Sequence, residues 1–246
     1  MPDPKTILLA GGGTGGHLYP GISVAQALQT LLPDCKPLFL CTHRPIDKTI
    51  LEPTGFEFVP QPIVPPVRTI GGLLKFWKGW RETKDLVKKV LRERRPAAVL
   101  GLGGYAAGVA VKVGAQQEVP AAILNPDVIP GKANHYLMHS ARAVCCGFEE
   151  TKRHVSAQHH EKLKLTGCPI REEIRQLPPR EEAAKRLGLD RLLKTLVITG
   201  ASQGAQTVND AVLETLKTMK PQGWQVLHLA GQDLAAKVRE GYRDLG

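Results

Sequence analysis

The chain is predicted to be an α/β protein made of two successive βαβ arrays on parallel sheets, the second array short. Three observations predict this. Apolar runs of four to six residues alternate with stretches of helical apolar spacing, the pattern of a parallel sheet covered on both faces. Three glycine-rich loops each follow one of the strand-like runs. The alternation breaks around residues 165–180, at Thr166-Gly167-Cys168-Pro169 and again at Pro178-Pro179, and then restarts. Open α/β sheets bind ligands at the carboxyl ends of their strands, so the glycine loops mark the functional edge.

Taken in order, Thr6–Ala10 reads as a strand feeding a glycine loop. Gly21–Leu32 follows as a helix, with Ile22, Val24, Ala25, Leu28 and Leu32 at helical spacing. Pro37–Thr42 is the second strand, with a helix around Asp47–Glu52 after it. Leu73–Arg94 is a long basic helix, Ala97–Gly101 a strand and Tyr105–Gly114 a small-residue helix. Ala121–Leu124 and Ala143–Cys146 are further strands. Beyond the break come strand Thr195–Thr199, helix Thr207–Met219 and strand Gln225–Leu229. The domains are therefore expected at 1–165 and 166–246. The second is small for a doubly wound domain, whose usual size is about 100–150 residues.

Composition narrows the function classes. With 42% apolar and 23% charged residues the chain is globular, but its net charge of +10 favours polyanions: nucleic acid, anionic lipid or phosphorylated substrates. No nucleic-acid recognition motif accompanies the charge, so no nucleic-acid partner is expected. The five cysteines show no metal-ligand spacing, and the eight histidines form no HExxH-type set, so neither a metal nor another cofactor is expected. The start of the sequence has no apolar core behind a basic segment, and no uncharged apolar run approaches the ~18 residues of a membrane span.

The first loop is Gly11-Gly12-Gly13-Thr14-Gly15-Gly16-His17. Glycines let backbone amides approach a ligand closely, and the helix start behind them favours phosphate. The order is not that of a P-loop, and a dinucleotide site would need an acidic residue ending the second strand; Asp34 precedes that strand instead. The others are Gly101-Leu102-Gly103-Gly104-Tyr105 and Gly200-Ala201-Ser202-Gln203-Gly204-Ala205. Any one could be a tight turn alone. Three, each after a strand, suggest two phosphate-bearing ligands or one held across a cleft. His17 closes the first loop as a candidate general base, its alternative role being a backbone contact at the helix start.

Together these segments resemble the MurG family, the UDP-N-acetylglucosamine:lipid I N-acetylglucosaminyltransferases. The resemblance is carried by Gly12–Pro20, by Gly101–Gly108, by Pro130-Gly131-Lys132-Ala133-Asn134, by Thr166–Arg171 and by Gly200–Ala205 with Asn209, in the family's order from about residue 5 to 232. It implies a GT-B fold of two Rossmann-like domains, an acceptor and membrane-binding one followed by a partial UDP-GlcNAc-binding one. It implies inverting transfer of GlcNAc to the 4-hydroxyl of the MurNAc in lipid I. By the same resemblance His17 is the base. Thr14, Gly15, Gly16, Gly103, Gly104 and Tyr105 line the acceptor and its diphosphate. Ser202, Gln203 and Gly204 hold the UDP diphosphate with Arg171 nearby, and Asn125, Asn134 and Asn209 fall at polar positions of the pattern. The implied location is peripheral, on the cytoplasmic face of the inner membrane, among other cell-wall synthesis proteins.

Two departures stand out. Where the family has His-Glu-Gln-Asn, this chain has Leu124-Asn125-Pro126-Asp127, which makes Asp127 the candidate for the displaced acid. The chain stops before the family's later donor motifs and its final helix, and the resemblance is therefore to a C-terminally truncated member. The alternative is a non-catalytic lipid-diphosphate-binding or scaffold protein. Finally, Leu73, Leu74, Trp77 and Trp80 can share a helix face, with Phe76 among them and Lys75, Lys78 and Arg81 around it. That reads as a surface for anionic lipid, or else as a face packed on the sheet.

Overall fold

The computed structural model describes residues 5–201, 203–219 and 222–245. It falls into two compact units, Met1–Arg175 and Gln176–Gly246. The first contains strands β1 (Thr6–Ala10), β2 (Lys36–Thr42), β3 (Glu57–Gln61), β4 (Ala98–Gly101), β5 (Ala121–Asn125), β6 (Ala143–Cys146) and β7 (Leu163–Leu165). They form one parallel sheet in the order β3-β2-β1-β4-β5-β6-β7. Its helices are α1 (Gly15–Leu31), α2 (Pro45–Leu51), α3 (Ile70–Arg94), α4 (Gly104–Gln116), α5 (Lys132–Leu137) and the single turn α6 (Glu172–Arg175).

Successive strand residues feed opposite cores, as the pleat requires. Leu8, Ala10, Leu38 and Leu40 join Val87, Val90 and Leu91 of α3 and the small residues of α4 on one face. Leu9, Phe39 and Cys41 join Leu18, Ile22 and Ala25 of α1 and Ile50 and Leu51 of α2 on the other. Cys41 is so enclosed that burial, with Asp47 nearby, pushes its thiol up to about 12.

Helix α1 starts six residues before the expected Gly21. Pro20 lies inside it, one turn from the start, where the missing N–H removes only the bond to the Gly16 carbonyl. Strand β3 escapes the sequence pattern because Pro60 interrupts it; the strand is at the sheet edge, where proline is tolerated.

Helix α3 departs from the expected shared face. Trp80 and Phe76 pack on the core, and the Trp80 ring comes within 3.2 Å of where a Cβ on Gly108 of α4 would sit. Leu73 is on the same side of the helix seven residues earlier, but it is 45% exposed. Ile70, Leu74 and Trp77 are 83%, 66% and 59% exposed. Trp80 is thus corrected from a surface anchor to a packing residue. Among the described residues, no helix is long and apolar enough to cross a membrane.

The second unit holds α7 (Arg180–Arg186), β8 (Lys194–Thr199), α8 (Gln206–Thr218), β9 (Trp224–Leu229) and α9 (Ala235–Leu245). Strands β8 and β9 pair in parallel from Lys194↔Trp224 to Thr199↔Leu229.

Candidate active site

Strand β1 is the topological switch of the large sheet: β2 lies on one side and β4 on the other. Ligand crevices open at such points. The two glycine loops leave β1 and β4 side by side, and the helices that follow, α1 and α4, begin there. Neither helix has a side-chain cap or an acidic residue in its first turn. In α1 the His17 N–H turns back to the Thr14 carbonyl at 3.3 Å, and neither helix start has a side chain that satisfies its leading amides, so the positive ends of two dipoles lie uncapped at this edge.

His17 lies where these helix starts meet. Its ring is half-buried against the second loop: a Cβ on Gly103 would lie 3.0 Å from His17 Cδ2, and one on Gly104 would lie 2.9 Å from Cε1. Gly104 has φ +68°, so both space and backbone favour glycine there. Thr14 is the N-cap residue of α1, yet its hydroxyl caps nothing; it meets His17 Nδ1 at 3.1 Å. Gly15 is half-buried and Gly16 exposed beside it.

Tyr105 sits in the first turn of α4, its hydroxyl 3.3 Å from where a Cβ on Gly13 would be. Burial raises its pKa above 10, so the phenol is a neutral donor at pH 7. Leu102 lies beneath both loops. It is 1% exposed, and its side chain fills the space in which Gly11 and Gly21 would carry a Cβ.

The segment carrying the altered acid is built from amides. Asn125 is fully buried and donates to the Asp127 carbonyl at 2.6 Å. Asn134 donates to the Leu124 carbonyl and to Asn125 Oδ1, both at 3.0 Å. Its own Oδ1 is buried without a partner among the described residues, 4.0 Å from where a Cβ on Gly103 would be. A buried acceptor left open beside the second loop suits a ligand N–H or O–H. Asp127 itself is exposed. Arg171 lies in the first unit with its guanidinium 4.3 Å over the Tyr19 ring of α1.

In the second unit the third glycine loop follows β8. Ser202 lies outside the described residues, and Gln203 is exposed. Gly204 has φ +73°, and a Cβ there would overlap the Ala230 carbonyl after β9. Asn209, in the first turn of α8, is 2% exposed and turned inward rather than toward a ligand. It donates to the Ala230 carbonyl at 3.0 Å and meets His228 Nε2 at 3.0 Å. His228 Nδ1 meets the Tyr242 hydroxyl at 3.0 Å. Because the Asn209 amide NH₂ is engaged at Ala230, its Oδ1 must accept, which puts the imidazole proton on Nε2.

Burial lowers the His228 pKa below 6.5. The unfolded chain therefore takes up a proton before the folded one does as pH falls. The contribution of His228 to the stability of this unit is expected to be fully present above pH 6.5 and to decline as pH falls from there through the folded pKa. Urea melts followed at Trp224 between pH 8 and 5 would check this, and His228→Gln should flatten the slope.

Sequence reasoning missed Asp47, Arg44, Leu102, His228 and Tyr242. Asp47 reads as an ordinary acid near a helix start, and nothing local signals its buried bonds to Gly13 of the first loop and to Thr42. Among the described residues no group of His, Cys, Asp and Glu could hold a metal ion.

Residues 7–146 match the glycosyltransferase family 28 N-terminal domain. A UDP-N-acetylglucosamine–N-acetylmuramyl-(pentapeptide) pyrophosphoryl-undecaprenol N-acetylglucosamine transferase of Halothermothrix orenii is 30% identical over 98% of the chain and 64% of that protein. Its counterpart in Bacillus pumilus is 31% identical over 98% of the chain and 65% of that protein. The chain thus spans just under two thirds of the length of these relatives. The crystal structure of Acinetobacter baumannii MurG superposes with a TM-score of 0.69 at 21% identity, covering 98% of this chain and 63% of that one. The α/β fold expected from the sequence is the fold found.

Proposed function

The chain belongs to glycosyltransferase family 28, and from that premise we propose that it transfers GlcNAc from UDP-GlcNAc to the 4-hydroxyl of the MurNAc in lipid I, with inversion. The observation that carries the reading is the meeting of two uncapped helix starts at one imidazole. The Halothermothrix orenii and Bacillus pumilus relatives, at 30% and 31% identity, bear the name of that transferase.

Thr14 Oγ1 and His17 Nδ1 are 3.1 Å apart, and this mechanism requires the tautomer in which Nδ1–H donates to Oγ1 and the lone pair is on Nε2. Nε2 takes the proton of the acceptor hydroxyl as its oxygen bonds to the anomeric carbon of GlcNAc and the bond to UDP breaks. The open amides of Gly15, Gly16, Gly103 and Gly104 hold the acceptor diphosphate, and the neutral Tyr105 hydroxyl donates to it. Asn134 Oδ1 accepts from the acceptor. Asn125 orients Asn134, and Asp127 supplies the acid that the family carries two residues earlier. The loop of Ser202, Gln203 and Gly204 holds the donor diphosphate at the start of α8, where the helix dipole offsets charge developing on the leaving UDP. Asn209 holds the Ala230 carbonyl against which Gly204 packs, and Arg171 contributes a cation to the first unit. GlcNAc transfer by the purified chain to a soluble lipid I analogue tests the proposal directly. Absence of transfer with acceptor still bound would replace it with a binding role.

The location proposed is peripheral, on the anionic cytoplasmic face of the inner membrane, together with other cell-wall synthesis proteins. Leu73, Leu74 and Trp77, joined by Ile70, form an exposed apolar end to α3, flanked by exposed Lys75, Lys78 and Arg81. Such a surface enters the headgroup boundary while the cations meet anionic lipid at ~1 kcal/mol each. Substituting Leu73, Leu74 and Trp77 together by Ser is expected to weaken co-sedimentation with anionic vesicles at least about tenfold, with the melting temperature unchanged. Trp80→Ala should do the reverse, lowering the melting temperature through lost packing, while vesicle binding persists.

A further inference from the structure

The first glycine loop owes its shape to a residue from a different strand–helix connection. Asp47, in α2, is fully buried directly beneath the loop. Its two carboxylate oxygens accept the Gly13 N–H at 2.8 and 2.9 Å. Oδ2 also accepts the Thr42 N–H at 2.8 Å and the Thr42 hydroxyl at 2.7 Å, at the end of β2. A Cβ on Gly12 would overlap Oδ2, so the carboxylate occupies the room that glycine leaves. On the next peptide, Arg44 Nη1–H donates to the Gly13 carbonyl at 2.6 Å.

Two successive peptide groups are thereby pinned, one by its N–H and the next by its C=O. Within one trans peptide the C=O and the N–H point in opposite directions. Holding the Gly13 carbonyl on Arg44 therefore turns the Thr14 N–H away from Arg44 and fixes the plane from which Thr14 departs. Thr14 in turn meets His17 Nδ1. The Gly13 amide, engaged by Asp47, is removed from the set of donors facing a ligand.

We propose that Asp47, assisted by Arg44, is a positioning residue: it sets the register of the Thr14–His17 pair by clamping Gly13 to the end of β2. The proposal rests on the reading of His17 as the base. Asp47 touches no substrate and acts through the loop.

The test is Asp47→Asn in the full chain. The amide keeps the shape but turns one acceptor into a donor facing N–H groups. Misplacing a catalytic group by about 1 Å costs on the order of 100-fold. kcat for transfer is therefore expected to fall about 10–100-fold, with KM for UDP-GlcNAc within about twofold. The Gly13 amide resonance and the His17 ring resonances should move in NMR spectra of the variant. Arg44→Met is the companion, since Arg44 is exposed and its loss spares the core; it should shift the same resonances and lower kcat. A folded Asp47→Asn with Gly13 and His17 signals at wild-type positions would overturn the proposal, as would shifted signals with kcat unchanged. Should Asp47→Asn not fold, Arg44→Met decides alone by the same criteria. Should the wild-type chain show no transfer, the transferase reading fails, and the NMR arm still decides whether the clamp exists.

Discussion

His17→Ala is expected to lower GlcNAc transfer to a soluble lipid I analogue by about 10²–10⁴-fold, the range of a positioned general base. Acceptor binding should change far less, because the diphosphate contacts proposed for the first two loops come from backbone amides that the substitution leaves in place. The imidazole is held from two sides, by Thr14 at Nδ1 and by the glycines of the second loop against its ring. His17→Gln, which restores a hydrogen-bonding group without a base, should recover little. A loss that appears wholly in KM would assign His17 to binding, and equal rates in wild type and variant would remove it from the chemistry.

Leu102→Ala is expected to destabilise the first unit by about 2–5 kcal/mol, the range for a fully enclosed leucine that leaves a cavity. That corresponds to a drop on the order of 10 °C in melting temperature. The site cannot collapse easily, because its walls are the backbones at Gly11 and Gly21 as well as side chains. Leu102 belongs to the second loop and packs under the first, so the variant should also loosen both: amide exchange at Gly13–His17 and at Gly103–Tyr105 should speed up together. Leu74→Ala, at an exposed position, should stay within about 0.5 kcal/mol of wild type and serves as the control. Equal stability of the two variants would show that Leu102 is not the support described.

Much of the frame is legible in the sequence. The strands β1, β2, β4, β5 and β6 lie within one residue of their expected limits, because a strand buried on both faces must be a short unbroken apolar run. The glycine loops were visible as glycines after such runs. Elements at the sheet margins were not. Strand β3 carries a proline and strand β7 is three residues long, and neither position demands the buried apolar pattern.

The sequence by itself determined the parallel α/β class, the three loops and His17 as the notable titratable group among them, because periodicity and glycine placement are local properties of the chain. Only the tertiary structure decided which side chains face one another. It turned Trp80 onto α4 and left Trp77 exposed, since two residues on one helix differ only in what lies opposite them. It faced Asn209 inward to His228. It brought Asp47 beneath Gly13, 34 positions earlier in the chain, because adjacent parallel strands deliver their carboxyl ends to the same edge, whatever the distance in sequence.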